Sequence, residues 1–585
     1  MIKKVFRQML VTQIVSTLTV MICLLVDSIL IGRYLGINAM TAYGLTNPVL
    51  MVFVSFGTIL SAGIQVMCGK TMGSGDREGT DANFTLSMAF ALGIALLGIL
   101  LVIVFLNPLC TSLGAGLPTP DNEVYTLTKN YLTGFIFGAP AFILAQIMVP
   151  YMQMSGNRVR VVVAVLALTI GDIVLDLLNV FVFHGGMLGM GLASSASYYI
   201  ALIIGGAYFF HKDCMFHLNR KGFQLKRLGE MLYHGIPTAI NSISLVLLVY
   251  CLNKILLGTG GNEAVAGYSV ISTVGNICYS FGGGIGSTAL MLGAIFYGDE
   301  DKNAIYTVIR TMVRYSLIID GVLVAVVLCG APYIVRLFLT DNVEAVRLAT
   351  QGLRFFTLSL LICPINVCFK NFYQGIGHTK LSETIAFLES FFFPALSAFV
   401  LSRFLGTTGV WLCWIAGELL CCLTYSAIVW KKNGKVSFTP EAYAMLPEDF
   451  GARPEDSLDV TVYTVEESME ASMKAAEFCK AHGESERNCV LISLCIEEMV
   501  NNIVEHGFTK DQKEDHAVEV RLMFKEDKRL LRIRDNCVNF DPVKYLELHE
   551  TDEEGAHVGI RMVMGMVKEA NYVNSLGLNN LTLVM

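Results

Sequence analysis

Twelve runs of about twenty apolar residues follow one another through the first three quarters of the chain. They lie near 9–31, 44–69, 86–106, 130–152, 159–183, 189–210, 232–257, 264–294, 313–338, 350–374, 381–402 and 408–430. Each is long enough to cross a hydrocarbon core of about 30 Å as a helix. After residue 432 the pattern changes. KKNGKVSFTPEAYAMLPEDFGARPEDS (431–457) is polar, carries prolines, and reads as a linker. Beyond it, AVEVRLMFKED and KRLLRIRDN alternate as strands do, with a turn expected near Glu526–Lys528. Residues 466–482, 487–508 and 557–570 carry a helical period, and NLTLVM (580–585) reads as a closing strand. The expected fold is an all-α polytopic membrane domain of twelve transmembrane helices in two six-helix lobes, followed by a C-terminal α/β sandwich. The expected boundaries are 1–220, 221–432, a linker at 433–457, and 458–585.

Charge follows the same division. Residues 451–585 hold 26 acids against 15 bases, while the apolar remainder is slightly basic. Charged residues are only 16% of the whole and hydrophobic residues 54%, against about 25% charged in soluble proteins. Lys3, Lys4 and Arg7 precede an apolar run without a small-residue cleavage site, so this run reads as a retained first span. Connectors after even-numbered spans hold Lys70, Arg77, Arg158, Arg160, Lys302, Lys380, Lys431 and Lys432. HGGMLG, LGTGGNEA and FLGTTG, after odd-numbered spans, hold no base. The positive-inside rule then puts both termini in the cytoplasm, for a multi-pass protein of the bacterial inner membrane. The 16 cysteines form no CxxC or zinc-finger spacing and read as free thiols in apolar runs.

The two halves repeat. LVDSILIG (25–32) answers CLNKILLG (251–258), FGTILSAG answers FGGGIGST, and QMSGNR answers QGIGHT. Parallel repeats of this kind build many secondary transporters, whose sites lie near the midplane between halves. Acids inside spans are costly and point to coupling sites. Asp27 lies near the end of span 1. Asp172, Asp176 and Asn179 share one face of span 5. Carboxylate and amide oxygens there suit a proton or Na⁺, and the bland alternative is a span-end cap or a structural pair. Asn241, Asp320, Glu389 and Glu418 are candidates in the second half.

LVDSILIGRYLG, MTAYGLTNPV, GSGDREG, DIVLDLLNVFVFHGG and GTTGVWLCWIAGEL together resemble multidrug and toxic compound extrusion (MATE) transporters, over about residues 5–432. That resemblance implies two lobes and export of drugs or metabolites against H⁺ or Na⁺ by alternating access. The acid of the family's span-1 motif would be Asp27, and that of its span-5 motif Asp176. Members using a span-7 acid after GxP differ from this chain, whose GIPTAINSISLVLL has none; coupling is therefore expected in the first lobe. ATP is not expected to drive transport, since CGKTMG has Ile64 where a phosphate loop needs glycine.

In the C-terminal part, Glu498, Asn502 and His506 share a helix face opposite Ile492, Ile496 and Met499. An acid and an amide so spaced can hold Mg²⁺ and orient a nucleophile. With RIRDNCVNFDP (532–542), HVGIRMVMGMV (557–567) and NNLTLVM, the order resembles the ATP-binding fold of histidine kinases, Hsp90-type chaperones and anti-sigma-factor serine kinases. The resemblance implies Asn502 as Mg²⁺ ligand, Glu498 as general base, Asp535 as acceptor of the adenine amino group, Gly559 near the phosphates and Thr582 near the base. Cys537 and Asn539 stand where that family has glycines, as does His557, so nucleotide binding is a firmer expectation than phosphotransfer. The overall expectation is a cation-coupled exporter in the lipid bilayer whose ATP-binding domain regulates it or signals. The alternative is a membrane-anchored serine/threonine kinase or anti-sigma-type switch acting on a small anti-anti-sigma-like protein. No nucleic-acid partner is expected.

Overall fold

The computed structural model describes residues 1–585 apart from 120, 212–213, 220–223, 339–342, 511–514, 526–527 and 549–557. Among the described residues, nine helices are long and apolar enough to cross a membrane, or eleven if each of two bent pairs is one span. The pairs are Glu123–Ile136 with Ala139–Met154, bent by 50°, and Val343–Ser359 with Cys363–Gly375, bent by 46°. Pro140 and Pro364 sit in the first turn of each second helix. Proline offers no backbone donor and crowds the preceding turn, so the axis turns there. The helix Leu225–Gly298 has 74 residues. Straight, it would run about 110 Å, more than three bilayer cores. It breaks at Gly261, at φ 64° and ψ −158°, a backbone suited to glycine. The expected twelve spans are reached only by dividing it there. Leu96, Leu97, Leu100, Leu101 and Val104 are exposed on the helix Arg77–Val104, an apolar surface that suits lipid contact rather than water.

The two halves of the membrane domain meet at the side that carries the C-terminal domain. There the end of the helix Ile37–Gly73 packs on the end of Leu225–Gly298. A Cβ on Gly73 would strike the Ile295 carbonyl, and one on Gly298 the Lys70 carbonyl. The seam is backbone against backbone and closed.

The C-terminal domain is a five-stranded antiparallel sheet in the order β1-β2-β3-β5-β4. The strands are β1 (Ser457–Val462), β2 (Val518–Lys525), β3 (Lys528–Asp535), β4 (Glu569–Ser575) and β5 (Leu578–Val584). β1 and β4 go beyond the sequence expectation. β4 begins inside the stretch read as helix 557–570, whose helix ends at Met566. The expected turn at 526–527 lies outside the described residues. Side chains alternate across a strand. Val518, Val520, Leu522, Leu531, Ile533, Leu581 and Leu583 face the helices Val465–Ala481, Glu486–Asn502 and Val558–Met566 and form the domain's core.

The alternate residues face the membrane domain. Arg532 pairs with Asp299 at 2.9 Å, Arg521 with Asp301 at 2.8 Å and Lys525 with Glu300 at 2.7 Å. Arg534 pairs with Asp299 as well. Burial alone would raise the Asp301 carboxyl, but the guanidinium groups of Arg521 and Arg534 outweigh it and hold it below the ordinary carboxylate range. The β4–β5 turn, Leu576-Gly577, has φ of 61° and 75°, as a two-residue hairpin turn requires. Its tip enters the first half: the Leu576 amide donates to the Met154 carbonyl, and Arg158 donates to the Leu576 carbonyl at 2.7 Å. Val573, Leu576 and Leu578 belong to the same apolar cluster as Met72, Met154 and Phe296.

Candidate functional site

The first candidate site lies within the membrane. Asp27 comes from the end of the first helix, and Asp172 and Asp176 from one face of Arg158–Leu178. The three carboxylates converge, each offering an oxygen within 4.8 Å of the others, and all three are buried. Ser197 donates to Asp172 Oδ1 at 3.0 Å. Among the described residues, Asp27 Oδ1 and both Asp176 oxygens accept no hydrogen bond. Buried carboxylate oxygens without donors are costly, so a bound cation or proton fits them. Asp27 and Asp172 also line a cavity of about 290 Å³, with Tyr43, Asn47, Phe142, Gln146 and Tyr198 on its walls. Asn179 is used elsewhere: its amide donates to the Gly186 carbonyl at 3.0 Å and packs on Gly185 and Gly189.

The second half holds a different cluster. Lys370 Nζ lies 2.9 Å from Glu389 Oε2 and donates to Asn241 Oδ1 at 2.7 Å. Asn366 donates to Glu418 Oε2 at 2.7 Å, and Cys363, Glu389 and Glu418 lie together. Three second-half candidates are thus joined, around a lysine that the sequence reading, which took up carboxylates and amides but not bases, passed over. Asp320 stands apart, with neither oxygen bonded among the described residues. A tethered ammonium already balances Glu389. Lys370→Met would leave that carboxylate buried without its partner, and breaking such a pair costs about 3–5 kcal/mol. Thermal unfolding in detergent is expected to drop for Lys370→Met and to recover in Lys370→Met/Glu389→Leu.

The third candidate is a cavity of about 560 Å³ on the helix side of the C-terminal sheet. Glu498, Asn502 and His506 line one wall, Gly559 and Ile560 another, and Asp535, Asn579 and Leu581 the floor. The fold thus brings the face shared by Glu498 and Asn502 to Asp535 and Gly559 in one space. A Cβ on Gly559 would meet Glu498 Oε2, so the end of that side chain would have to shift. Asp535 Oδ1 accepts from the Cys537 amide at 2.9 Å and from Asn579 Nδ2 at 2.8 Å. Both bonds end on Oδ1, and the Cys537 side chain bonds the carboxylate as well, which fixes it in place. Burial pushes the Asp535 carboxyl up despite these donors.

Thr582 is not in this cavity. On β5 it follows Leu581, which faces the cavity, so it points to the opposite face and lies against the membrane domain with Asp299 and Arg534. The β5 residue beside Asp535 is Asn579, directly opposite it in register. The sequence signal for it was the parity of β5 itself, on which Asn579 shares the face of the apolar Leu581 and Leu583. Cys537 lines the cavity, and Asn539 accepts from Tyr572 at its edge. His557 lies outside the described residues.

A family model described as MatE matches residues 13–178 and 237–400, more than half of the chain. The chain belongs to the MATE family. A second model, described as Histidine kinase-like ATPase domain, matches residues 463–585 of this MATE protein. Multidrug export protein MepA of Staphylococcus aureus is 25% identical over 432 residues, covering 73% of this chain and 94% of that protein. MepA of Staphylococcus saprophyticus subsp. saprophyticus is 24% identical over 401 residues, covering 68% and 87%. A crystal structure of a mutant of the Vibrio cholerae MATE transporter VcmN superposes with a TM-score of 0.68 at 18% identity, over 74% of this chain and 98% of that one. At that identity the likeness establishes the fold. The membrane part is therefore a nearly full-length MATE transporter to which an ATPase-like domain is joined.

Proposed function

We propose that this MATE protein exports drugs or metabolites from the cytoplasm in exchange for H⁺ or Na⁺, and that its C-terminal domain binds Mg-ATP and regulates that export. The observation that carries the transport reading is the convergence of Asp27, Asp172 and Asp176, two of which, Asp27 and Asp172, also line a cavity. Three buried carboxylates at this spacing repel one another unless a cation or protons neutralise them. Asp27 and Asp172 face both the cluster and the cavity, so a coupling cation and a cationic substrate compete for them. Competition at one site, combined with alternating access, yields antiport. The lobes at 1–220 and 221–432, the linker at 433–457 and the domain at 458–585 are the units of this proposal. Lys70, Arg77, Arg158 and Lys302 lie in connectors on the side of the C-terminal domain, which supports a cytoplasmic location for both termini in a bacterial inner membrane.

For the nucleotide, Asp535 would accept the adenine amino group, Asn579 would hold that carboxylate in position, and Asn502 would ligate Mg²⁺. Gly559 would let the helix start near the phosphates. ATP supplies charge and binding energy there, or a transferable phosphoryl group. Glu498, half-buried beside Gly559, is positioned as a general base, and this supports a second reading in which the domain phosphorylates a small partner protein. Two assays on the purified full chain separate the readings. In proteoliposomes, an opposing H⁺ or Na⁺ gradient is expected to drive out a fluorescent organic cation. Glu498→Gln is expected to keep Mg-ATP affinity while lowering any phosphate release by about 10²–10⁴-fold. Mg-ATP binding with no flux under either gradient would favour the kinase or switch.

A further inference from the structure

We infer that the C-terminal sheet is a clamp across the seam between the two transporter halves, and that Mg-ATP tightens it. The second part rests on the reading above that the C-terminal cavity binds Mg-ATP. Three observations carry the inference. The first is where the sheet sits. A small space between the domains is walled by Met72, Gly73 and Gly75 of the first half, Ile295, Phe296 and Asp299 of the second, and Arg534 and Asn580 of the sheet. The domain therefore lies directly on the line where Gly73 and Gly298 close the halves.

The second is that it grips both halves, each in its own way. On the second half it uses charge: Arg521, Arg532, Arg534 and Lys525 meet Asp299, Glu300 and Asp301, all in one turn between two spans. On the first half it uses shape. The Leu576-Gly577 tip inserts beside Gly156, where a Cβ would strike the Gly577 backbone, and Arg158 bonds the tip's carbonyl. Lys4, ahead of the first span, adds an ion pair with Asp515. In alternating access the halves part at one side while they close at the other. A rigid sheet fastened to both resists parting on its side.

The third is that the cavity and the clamp share strands. On β3, Asp535 faces the cavity and its neighbour Arg534 faces the seam, where it meets Asp299. On β5, Asn579 braces Asp535, and Leu578, one residue earlier, follows the inserted tip. A ligand that fixes Asp535 and Asn579 fixes the two strands that hold the transporter. Sites that order the same elements favour one another, and the effect is reciprocal. The clamp thus makes the nucleotide a brake on opening toward the domain's side.

The test is amide hydrogen exchange on the full chain in lipid nanodiscs, read at residues 66–73 and 290–298, with Mg-ATP titrated in parallel. Exchange reports local opening. Arg521→Glu/Arg534→Glu is expected to raise exchange in both segments by about tenfold or more, with the core strands still protected. Lys525→Glu, at a half-exposed pair, is expected to give a smaller rise that Lys525→Glu/Glu300→Lys reverses. Mg-ATP is expected to slow seam exchange in the native protein and not in Arg521→Glu/Arg534→Glu. If Mg-ATP binds and the seam exchanges equally in all these proteins, the clamp is overturned and the nucleotide reading stands. If the native protein binds no Mg-ATP, the nucleotide reading fails and its control of the seam is overturned with it.

Discussion

Asp27→Asn is expected to abolish gradient-driven export, with a loss of more than about tenfold, or ~1.4 kcal/mol of coupling. The amide is nearly the same size as the carboxylate, so the packing of Asp27 among Tyr43, Asp172 and the cavity wall is kept. What is lost is the charge that draws in a cation and the oxygen that can take a proton. Asp176→Asn is expected to behave alike, since neither oxygen of Asp176 has a protein donor to satisfy it among the described residues. Dye efflux from proteoliposomes measures the loss, and downhill binding of the dye without a gradient is the control. Binding retained with coupling lost is the expected pattern. Full coupled efflux in both variants would remove this cluster from the mechanism and return attention to Asp320 and the Lys370 cluster.

The second large effect is on the nucleotide. Asp535→Asn replaces an acceptor by an amide that can offer its NH₂ to the adenine amino group, and leaves a buried polar contact unmade. Such losses cost about 1–3 kcal/mol, so Mg-ATP affinity is expected to fall by roughly 5–150-fold. The pH dependence has a definite sign. The Asp535 carboxyl is raised by burial, and its ionised form is the stronger acceptor for the adenine amino group. Affinity is therefore expected to weaken as pH falls through that raised value, at higher pH than an ordinary carboxylate near 3.9 would allow. The Asp535→Asn variant is expected to lack this pH limb. The docking contact is also lost as pH falls, but at lower pH. Asp301 is held low by Arg521 and Arg534, so its contribution is complete above the ordinary range and is lost only as pH falls through its depressed value. Between these two values, nucleotide would weaken while docking persists.

The spans were legible because an apolar run of membrane length has few other uses. Their breaks were less so. Pro140 and Pro364 are visible, but proline is tolerated within membrane helices, so the bends at these positions needed the neighbouring helices to appear. In the C-terminal domain, the spacing of Glu498 and Asn502 fixed a shared face, and the fold brought that face to Asp535 and Gly559. β4 was hidden because it follows its helix after Val567 and Lys568, with no glycine or proline between them to mark the change. Arg521, Arg532 and Arg534 alternate with apolar residues as any solvated sheet face does. Nothing local distinguishes an arginine meant for water from one meant for Asp299, four spans earlier in the chain. Lys370 was in plain view in FKNFYQG, and a search of the spans for bases as well as acids would have found it.

The inserted Leu576-Gly577 tip changes what the linker is for. A tether that merely hung a free module from a membrane protein would release it when cut. Here the domain's hold on the transporter includes a buried hairpin and buried ion pairs that lie outside residues 433–457, while Tyr443, Met445 and Phe450 of that segment pack on the membrane domain themselves. A protease nick in that segment would leave the two pieces associated, as subunits of a complex. The covalent connection, seated on the membrane domain by Tyr443, Met445 and Phe450, then starts the C-terminal domain close to its seat, so that a domain which lets go for an instant meets it again at high local concentration.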